Sequence, residues 1–544
     1  MTLWFAPEEF TDDERKLLGP YFTNLDSPVF ALVNLPEVTK GALFARYSRS
    51  PKSLRRLFLD EFREHAEEGA ERMAAVGVGR AEDLYERVFL EYGDDSVAQL
   101  GGVHLACEQS SQVLAKVLEW GRLMAYLEQS TRYVPYDDRP GGRWRYAVPP
   151  EVEAAGLAGR FTDVCDRAFE IYARWLEPVQ ELYRGAFPKD PGDSDFVYRS
   201  TIRAKALDTL RGLLPVATRT NVGIYGTGQS YEQLLLRMRA HPLHEVRRYG
   251  DLMLTELRKV IPAFLRRVDL PDRGGEWAEY LRRSREQTAA VAEDVLGGAR
   301  PEPRPDVVLT DYDPDGEVKV TAAALYAATD LPDDQLLEAA RRMSAEERAR
   351  VLEVYVGERK NRRHKPGRAF ERTEYRFDVL CDYGAFRDLQ RHRLLTIEWQ
   401  ELSPRHGYDM PSEVEAAGAL PDWVRTMEES AALHGELIEA GLGPVAQYAT
   451  SMAYRIRFVM QMNAREAMHL IELRSTPQGH PVYRRVAQQM HRLIEEEAGH
   501  TAIAAAMRYA DHTSVELERL EAERRTEARR RAAEAAAGQR GEPR

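Results

Sequence analysis

The chain of 544 residues has only three cysteines, Cys107, Cys165 and Cys381, and they lie far apart. They form no Cys-x-x-Cys pair and cannot supply the disulfide framework of a small secreted domain. This scarcity fits a reducing cytoplasm, which is the location that we expect. We interpret the three cysteines as small buried residues.

Three further features are missing. The first fourteen residues hold neither a basic nor an apolar segment, so we expect no signal peptide. Charges interrupt every apolar run well before the length of a membrane span, so no membrane is expected as a partner. The formal net charge is −12, which argues against a general binder of nucleic-acid polymers because such a protein carries a basic face. A local basic pocket for a nucleotide remains compatible with that charge.

The composition is that of an ordinary globular protein, with 43% hydrophobic and 30% charged residues, and the length allows two to four domains. Helical periodicity dominates residues 1–290, for example over 53–77 and 161–187. Pro301, Pro303 and Pro305 interrupt the pattern, and we assign 293–318 to a linker. We therefore expect a first repeat at 1–292, a second repeat at 319–514 and a charged tail at 515–544.

Landmarks recur in the same order in both halves, which indicates a tandem duplication. The first is a Ser-x-Arg turn with a later Tyr-Asp, at Ser130–Asp137 and at Ser403–Asp409. The second is a Pro-Val-Ala step, at 215–217 and at 444–446. The third is a His-Pro step followed by an arginine pair, beginning at His241 and at His480.

The second half contains a conspicuous cationic motif. Arg391-His392-Arg393 ends a predicted helix, and Ser403-Pro404-Arg405 follows on a short turn. An arginine offers a planar fork of donors to a phosphate, and a serine hydroxyl adds another donor. We expect Asn463, Arg465 and Arg474 to share one helix, with Asn463 and Arg474 three turns apart on one face. Alone, the triplet could be a solvated helix end, where cations are favoured anyway.

The string Arg-His-Arg, a spacer, then Ser-x-Arg resembles the signature of ThyX, the flavin-dependent thymidylate synthase. The resemblance implies an α+β fold of two fused ThyX-like units, each a small sheet flanked by long helices, arranged as a pseudo-dimer. It implies flavin-binding roles for Arg391, His392, Arg393, Asn463 and Arg465. It implies substrate-binding roles for Ser130, Arg132, Ser403, Arg405 and Arg474, of which Ser130, Ser403 and Arg474 are also the candidate catalytic residues.

The second half departs from the family pattern in two places. The family spacing puts the serine at the position of Glu401, so that Ser403 comes two residues late. The upstream Gly-His-Glu segment is matched only in part, by His364-Lys365 and then by Phe370-Glu371-Arg372. These departures put the flavin-side histidine and the exact position of the nucleotide turn in doubt.

The first half departs in the opposite way. Tyr126–Tyr133 matches the Glu-Gln-Ser-x-Arg-Tyr string of the family closely, and Tyr92–Ser96 resembles the Gly-His-Glu segment. The triplet, however, reads Trp120-Gly121-Arg122, and the Asn-x-Arg position is taken as Gly226-Thr227-Gly228. We expect this half to keep the nucleotide-side turn while the second half supplies the flavin-side cations. Arg132 and Arg393 are then predicted to face one cavity.

If the family's activity is retained, the reaction is the reductive methylation of dUMP to dTMP. FAD is the expected cofactor, with NADPH and methylenetetrahydrofolate as co-substrates, and a homodimer of fused units would recreate four ThyX-like units. The family's chemistry needs no cysteine nucleophile. Two alternatives stay open, a relative that modifies a uridylate differently and a non-catalytic homologue that binds flavin or nucleotide.

A metal centre is a competing hypothesis for the same region. Glu466-x-x-His469 and Glu497-x-x-His500 have the Glu-x-x-His spacing of di-iron carboxylate bundles, which places both ligands on one helical face. Such a site needs two more glutamates on facing helices, and the sequence does not identify them. We therefore predict no metal.

Overall fold

The computed structural model describes residues 5–6, 8–35, 43, 47, 50–60 and 102–513. Within these residues the protein is α+β, with two four-stranded antiparallel sheets and many helices. The predicted fold class is confirmed. The Tyr92–Ser96 motif, residues 61–77 of the predicted helix 53–77 and the charged tail 515–544 lie outside the described residues.

The chain divides into two compact units that do not follow the order of the sequence. The first unit comprises 1–176, 210–301 and 418–451, and the second comprises 177–209, 302–417 and 452–544. Each unit therefore contains one sheet and takes one segment from the other half of the chain.

The sheet of the first unit has the strand order β1-β2-β4-β3. Its strands are β1 (Val29–Leu32), β2 (Gly102–Ser111), β3 (Met124–Glu128) and β4 (Arg219–Thr227). Buried apolar side chains of β2 and β4, such as Leu105 and Ile224, face each other in the register and hold the two long strands together.

The sheet of the second unit repeats that order as β5-β6-β8-β7. Its strands are β5 (Val307–Tyr312), β6 (Glu374–Asp382), β7 (Thr396–Trp399) and β8 (Arg455–Asn463). Side chains of β8 alternate strictly between buried and half-buried, which is the period of two expected of a strand with one face on a core.

Helices flank the sheets and account for most of the remaining residues. Those preceding the linker are α1 (Asp12–Leu18), α2 (Gln112–Leu118), α3 (Pro150–Ala154), α4 (Ala158–Ala186), α5 (Asp195–Leu210), α6 (Gly228–Arg239), α7 (His244–Leu257) and α8 (Glu276–Leu296). Those following it are α9 (Gly316–Tyr326), α10 (Asp333–Arg342), α11 (Ala345–Val356), α12 (Tyr383–Gln390), α13 (Ser412–Ala416), α14 (Leu420–Glu439), α15 (Ala464–Arg474), α16 (Pro481–Glu496) and α17 (Thr501–Ala506).

Strand register aligns the two halves residue by residue. Cys107 pairs with Val222 in the first sheet, and Val379 pairs with Phe458 in the second. Each long inner strand then leads into a helix whose first turn is capped by the last strand residue, Thr227 in β4 and Asn463 in β8. The side chains of these two caps therefore occupy equivalent places.

This register corrects two of the predicted alignments between the halves. Tyr408 bridges Tyr454 as Tyr146 bridges Thr218, so its partner in the repeat is Tyr146 and not Tyr136. The residues four positions before β4 and β8 are Pro215 and Ser451, so pairing the Pro-Val-Ala steps at 215–217 and 444–446 is wrong. The sequence analysis overlooked a stronger repeat, Pro-Pro-Glu-Val-Glu-Ala-Ala-Gly at 149–156 and Pro-Ser-Glu-Val-Glu-Ala-Ala-Gly at 411–418.

The stretch 293–318, predicted to be a linker, contains regular structure at both ends. Helix α8 continues to Leu296, and β5 and the start of α9 lie within it. The segment between the elements is thus 297–306, where the prolines are. The error has a simple cause, because the single apolar run Val-Val-Leu at 307–309 is too short to give a strand period from sequence.

Helices α4 and α14 meet within the first unit through a regular series of ion pairs, which we call the charge ladder. Its three pairs are Arg160–Glu436 at 2.9 Å, Arg167–Glu429 at 2.9 Å and Arg174–Asp422 at 2.6 Å. The two helices are repeat equivalents and start at 158 and 420, so position 167 matches 429. The central pair therefore joins two equivalent positions, and α4 supplies all the arginines while α14 supplies all the acids.

The three cysteines are buried and unpaired, which confirms their interpretation as small core residues. Burial raises the thiol pKa of each of them above its ordinary value. They are therefore poor nucleophiles, since the thiolate is the reactive form.

Candidate functional site

The Arg-His-Arg triplet lies at the carboxyl end of α12, as predicted. Asp382 caps the other end of this helix by accepting a hydrogen bond from the backbone N–H of Ala385 at 3.0 Å. Arg391 is the carboxyl-terminal cap, where a cation is favoured by the exposed carbonyl groups. The next residue, His392, turns into the protein and is only 5% exposed.

The Asn-x-Arg motif lies where β8 becomes α15. Asn463 is the last strand residue and not a helical one, and its Oδ1 accepts a hydrogen bond from the N–H of Glu466 at 3.0 Å. We expected Asn463 to be part of the helix, but the helix begins one residue later, at Ala464, and the side chain of Asn463 caps it. The cap points Glu466 and the following turns of α15 toward α12.

His392 links the two motifs through both ring nitrogens. Arg474 Nε lies 3.0 Å from His392 Nε2, and Glu466 Oε1 lies 3.0 Å from His392 Nδ1. A guanidinium can only donate, so Nε2 must be the acceptor and Nδ1 must carry the proton. The tautomer of His392 is therefore set by its neighbours, and Nδ1–H donates to Glu466.

His469 completes this cluster from the next turn of α15. Its Nδ1 lies 3.3 Å from Glu466 Oε2, so the two histidines donate to the two oxygens of one carboxylate. Burial by itself raises the pKa of Glu466, but the hydrogen bonds from His392 and His469 outweigh it and lower the value to about 2. Glu466 is consequently ionised near neutral pH.

Burial lowers the pKa of His392 to about 4, even though the contact with Glu466 favours its protonated form. The positive charge of Arg474 acts in the same direction as burial. His392 is therefore neutral near pH 7, in agreement with the tautomer that its hydrogen bonds require.

Asp388 joins the two arginines of the cluster, and the sequence analysis overlooked it. Its Oδ1 lies 3.7 Å from Arg391 and 3.6 Å from Arg474, and its side chain is 14% exposed. Arg474 also lies over the ring of Tyr483, 5.5 Å from the ring centre. The only sequence signal for Asp388 was its position one helical turn before Arg391, where its carboxylate faces the same side.

Arg465 takes a different direction from Arg474. Its Nε donates to the carbonyl of Pro366 at 3.0 Å, and its NH1 lies 3.5 Å from Glu371. The neighbouring Lys365, whose pKa is lowered by burial, interacts electrostatically with both Glu466 and Arg465. His364, by contrast, interacts within its own loop with Lys360 and Asn361, so Lys365 is the residue of that pair that is oriented toward the cluster.

His392, Glu466 and His469 are close enough together to be considered as metal ligands. The tautomer argues against that role, because the only lone pair of neutral His392 is on Nε2 and accepts from Arg474. A metal on Nδ1 would move the proton to Nε2, against the N–H of Arg474. Within the described residues this cluster is better explained as a hydrogen-bonded support for the arginines.

The Ser-x-Arg turn of the second half leaves β7 and forms a short 3-10 helix at Pro404–His406. Ser403 is half-buried and Arg405 is exposed. Register shows what stands at the family's serine position, because Gln129 and Gln400 donate their backbone N–H to equivalent strand residues, Asn221 and Arg457. Glu401 is thus the structural equivalent of Ser130.

The Ser-x-Arg motif of the first half forms a compact turn after β3. The carbonyl of Ser130 accepts hydrogen bonds from the N–H groups of Tyr133 and Val134, both at 3.1 Å, and its hydroxyl accepts from the N–H of Arg132 at 3.3 Å. Part of the serine's hydrogen-bonding capacity is therefore used to hold the turn itself. That Arg132 and Arg393 face one cavity stays a prediction.

The positions of the first half that match the cluster of the second half are uncharged. By register, His392 corresponds to Gly121, Glu466 to Ser230 and Arg474 to Met238. The sequence alignment of Asn-x-Arg with 226–228 was one residue early, because the cap equivalent to Asn463 is Thr227. The motif position therefore reads Thr227-Gly228-Gln229.

The two halves share one α+β fold. The second half also contains a cluster that joins the Arg-His-Arg motif to the Asn-x-Arg motif and to Arg474. Together these features define a tandem ThyX-like protein. A family model described as thymidylate synthase complementing protein matches residues 41–263 and 308–499, and the chain belongs to that family. One matched segment falls in each half, which confirms the predicted duplication.

Relatives cover nearly the whole chain. A UPF0159 protein of Chlamydia pneumoniae is 40% identical over 527 residues, which is 96% of this chain and 98% of the relative. A UPF0159 protein of Thermoplasma acidophilum is 32% identical over 512 residues, 89% of this chain and 98% of the relative. A flavin-dependent thymidylate synthase of Clostridium tetani is 23% identical over 197 residues, 36% of this chain and 73% of the relative.

None of the described helices combines the length and the apolar composition needed to cross a bilayer.

Proposed function

We propose that the protein is an FAD-dependent, thymidylate synthase-like enzyme that methylates dUMP reductively to dTMP, with methylenetetrahydrofolate and NADPH as co-substrates. The single observation that carries the proposal is the contact of Arg474 and Glu466 with the two nitrogens of His392. These contacts join motifs that are far apart in sequence and that the ThyX resemblance assigns to flavin and nucleotide binding.

The residues of the cluster fit a phosphate-bearing cofactor. Arg391 is partly exposed, Arg474 is half-buried beside the same Asp388, and Lys365 interacts electrostatically with Glu466 of the cluster. Guanidinium forks match phosphate oxygens, and a cofactor such as FAD carries two phosphates. FAD would supply the hydride transfer, while the protein binds and orients the reactants.

Within this proposal the role of His392 is to fix geometry. It is neutral, and its proton is held on Nδ1 by Glu466, so it presents a lone pair to Arg474 at all pH values near neutrality. Arg474 is thereby oriented as a charged donor, suited to an anionic group of the nucleotide or to negative charge that develops on a uracil carbonyl. Ser130 and Ser403 remain candidate donors to the nucleotide, as do Arg132 and Arg405, and Arg393 and Asn463 remain candidate flavin contacts.

The first test is the visible absorption spectrum of the purified protein before and after denaturation. Bound flavin that is released as FAD on unfolding, followed by formation of dTMP from dUMP with both co-substrates present, is the expected result. Omitting NADPH or methylenetetrahydrofolate in turn provides the controls. A protein that binds no added FAD would contradict the proposal.

A second candidate function is favoured by a specific observation. Glu401 stands where the family has its serine, and a carboxylate there repels the phosphate of a nucleotide. A non-catalytic homologue that binds flavin or nucleotide would tolerate this change. Glu401→Ser distinguishes the two candidates, because it is expected to increase dUMP affinity and dTMP formation in an enzyme whose turn is partly blocked, whereas a non-catalytic homologue forms no dTMP with either residue.

A uridylate-modifying relative remains the third alternative, and the product decides it. Mass spectrometry of the reaction mixture would show a methyl group for thymidylate synthesis and a hydroxymethyl group for the alternative. Cytoplasmic location and a homodimer of fused units belong to the proposal as well, and sedimentation of the purified chain measures the latter.

A further inference from the structure

Two cavities adjoin one another in the first unit, and no residue of the His392 cluster lines either of them. Their volumes are about 300 Å³ and about 360 Å³, which is the range of small-molecule sites. They share six lining residues, namely Phe5, Pro28, Gln109, Arg143, Trp144 and Arg219. None of these was singled out by the sequence motifs.

A β-bulge shapes the wall between the cavities. Between the pairs Cys107–Val222 and Ser110–Thr220, strand β2 has two residues opposite the single Asn221, whereas β6 has only Leu380 at this place. Gln109, the second bulge residue, has a φ of 57°, which is costly for a residue other than glycine. Bulges of this kind re-aim side chains, often beside functional sites.

The bulge directs Gln109 at two partners. Its amide exchanges two hydrogen bonds with the backbone of Ala6, both at 2.9 Å, and its Oε1 also accepts from Arg219 NH1 at 2.8 Å. The strained residue thus holds the Phe5–Ala6 segment at the edge of the cavities and orients the guanidinium of Arg219.

Arg219 places a half-buried positive charge on this wall. Burial lowers the pKa of its guanidinium, which nonetheless stays charged because an arginine starts from such a high value. The equivalent residue of the second half, Arg455, forms an ion pair with Asp409 at 2.6 Å. The residue at the position of Asp409 in the first half is Ala147, and Arg219 there interacts with Gln109 and, electrostatically, with the buried carboxylate of Glu245.

Trp144 adds a donor to the same wall. The residue is 7% exposed, and its Nε1 has no hydrogen-bond partner among the described residues. A buried indole N–H normally finds an acceptor, since leaving its hydrogen bond unmade destabilises the protein. Arg139 lies over the ring at 4.3 Å and keeps it in place. An acceptor supplied by a ligand would satisfy this donor.

Three carboxylates that also line the smaller cavity are already neutralised. Glu108 pairs with Arg55 at 3.2 Å, Glu8 pairs with Arg56 at 3.2 Å, and Asp26 pairs with Arg15 at 2.5 Å. Glu245 of the larger cavity interacts electrostatically with Arg219, and its carboxylate also accepts hydrogen bonds from Ser111 and Tyr448. Together the two cavities are lined by eight cationic and six acidic side chains, so the lining as a whole still attracts an anion.

We propose that these cavities form a second binding site, for a small organic molecule whose carboxylate or phosphate accepts hydrogen bonds from Trp144 Nε1 and the guanidinium of Arg219. Phe5 and Pro28 give the apolar remainder of such a molecule a surface to pack against. The inference does not depend on the proposed enzymatic activity, since it uses none of the same residues.

Calorimetric titration of the full-length protein with inorganic phosphate and with benzoate tests the site and distinguishes the two sources of the anion. Trp144→Phe keeps the ring and removes the donor, and we expect it to weaken binding of the preferred probe about threefold or more. Arg219→Gln is expected to weaken it at least tenfold. The matched control is Arg282→Gln on the exposed helix α8, which should leave binding unchanged.

The proposal fails if neither probe binds, or if Trp144→Phe and Arg219→Gln both bind as the unaltered protein does. Trp144→Phe is conservative enough to decide the matter should Arg219→Gln fail to fold. Arg474→Met provides the link to the proposed function, because it should leave this binding intact while flavin binding is lost. Loss of both together would show that there is one site and not two.

Discussion

The two halves of the protein have the same strand order in their sheets, yet they carry different side chains at one pair of equivalent positions. In the second half, His392, Glu466 and Arg474 form a charged and hydrogen-bonded cluster. In the first half the same place holds Gly121 and Met238, and a side chain at position 121 would meet the hydroxyl of Tyr126 at 2.5 Å. Apolar and aromatic packing has replaced charge there.

The first half has also kept a cation near the lost site, but with a different partner. Arg237, one residue before Met238, lies over the ring of Trp120 at 5.1 Å, and Trp120 is the equivalent of Arg391. The first half thus has a cation–π contact between Arg237 and Trp120. At the equivalent place in the second half, two arginines lie against Asp388. A duplicated fold can therefore keep its backbone and lose its chemistry, because a few side-chain replacements fill the space.

The largest expected effect comes from making the second half resemble the first. Arg474→Met removes the donor that orients His392 and leaves Asp388 without one of its two cations. On the proposed function we expect flavin or dUMP affinity to fall at least a hundredfold, which equals about 2.7 kcal/mol. Calorimetry on the purified variant measures it.

Arg237→Met is the matched control, since it removes a half-buried arginine from the first half and should leave both affinities within about twofold. Equal losses in the two variants would mean that the halves are not specialised.

The reverse exchange should damage the protein without restoring chemistry. Gly121→His inserts a side chain against Tyr126 and Met124, and overpacking of this kind costs about 1–3 kcal/mol. Urea denaturation measures the loss of unfolding free energy. Gly159→His, at an exposed helical glycine with open space around it, is the control and should cost less than about 1 kcal/mol. A stable Gly121→His protein would show that the first half retains room for a cluster.

The pH dependence of stability should reveal His392. Its pKa is about 4 when folded and 6.5 as the unperturbed value, so the unfolded chain takes up a proton in this range that the folded chain does not. Neutral His392 therefore contributes fully to the free energy of unfolding above pH 6.5, and this contribution is lost as the pH falls toward 4. The expected loss is about 2 kcal/mol between pH 7 and pH 5.

Unfolding in urea at pH 5 and pH 7 checks this, and His392→Gln should flatten the difference. His241 of the first half, whose pKa burial also lowers to about 4, should give a similar flattening in His241→Gln. If neither substitution changes the difference in unfolding free energy between pH 5 and pH 7, other groups cause the loss of stability in acid.

The smallest effect is expected at the charge ladder. Arg167→Glu places two acids at the central pair of α4 and α14, where the side chains are 33% and 22% exposed. Because the pair is partly solvated, we expect a loss of about 0.5–1 kcal/mol in unfolding free energy. The double exchange Arg167→Glu with Glu429→Arg should restore it. A double variant as unstable as the single one would show that the ladder depends on packing and not on charge.

Sequence reasoning found the duplication and most members of the cluster, because motif order survives in the chain. It missed Asp388, and it treated Glu466 and His469 only as possible iron ligands. Their contacts depend on which faces of α12 and α15 meet, and spacing along one helix does not give that. It also placed a linker over β5, since a short apolar run cannot be told from a loop without its partner strand.

The sequence by itself determined that the chain is a tandem of ThyX-like halves and that their charged motifs are unequally shared. These are properties of residue type and order, which local propensity and spacing express. Only the tertiary structure decided that Tyr408 corresponds to Tyr146, that His392 is a neutral bridge, and that a bulge turns Gln109 and Arg219 toward a cavity. Strand register and burial decide such matters, because a shift of one residue reverses a side chain's direction and removal of water changes its charge.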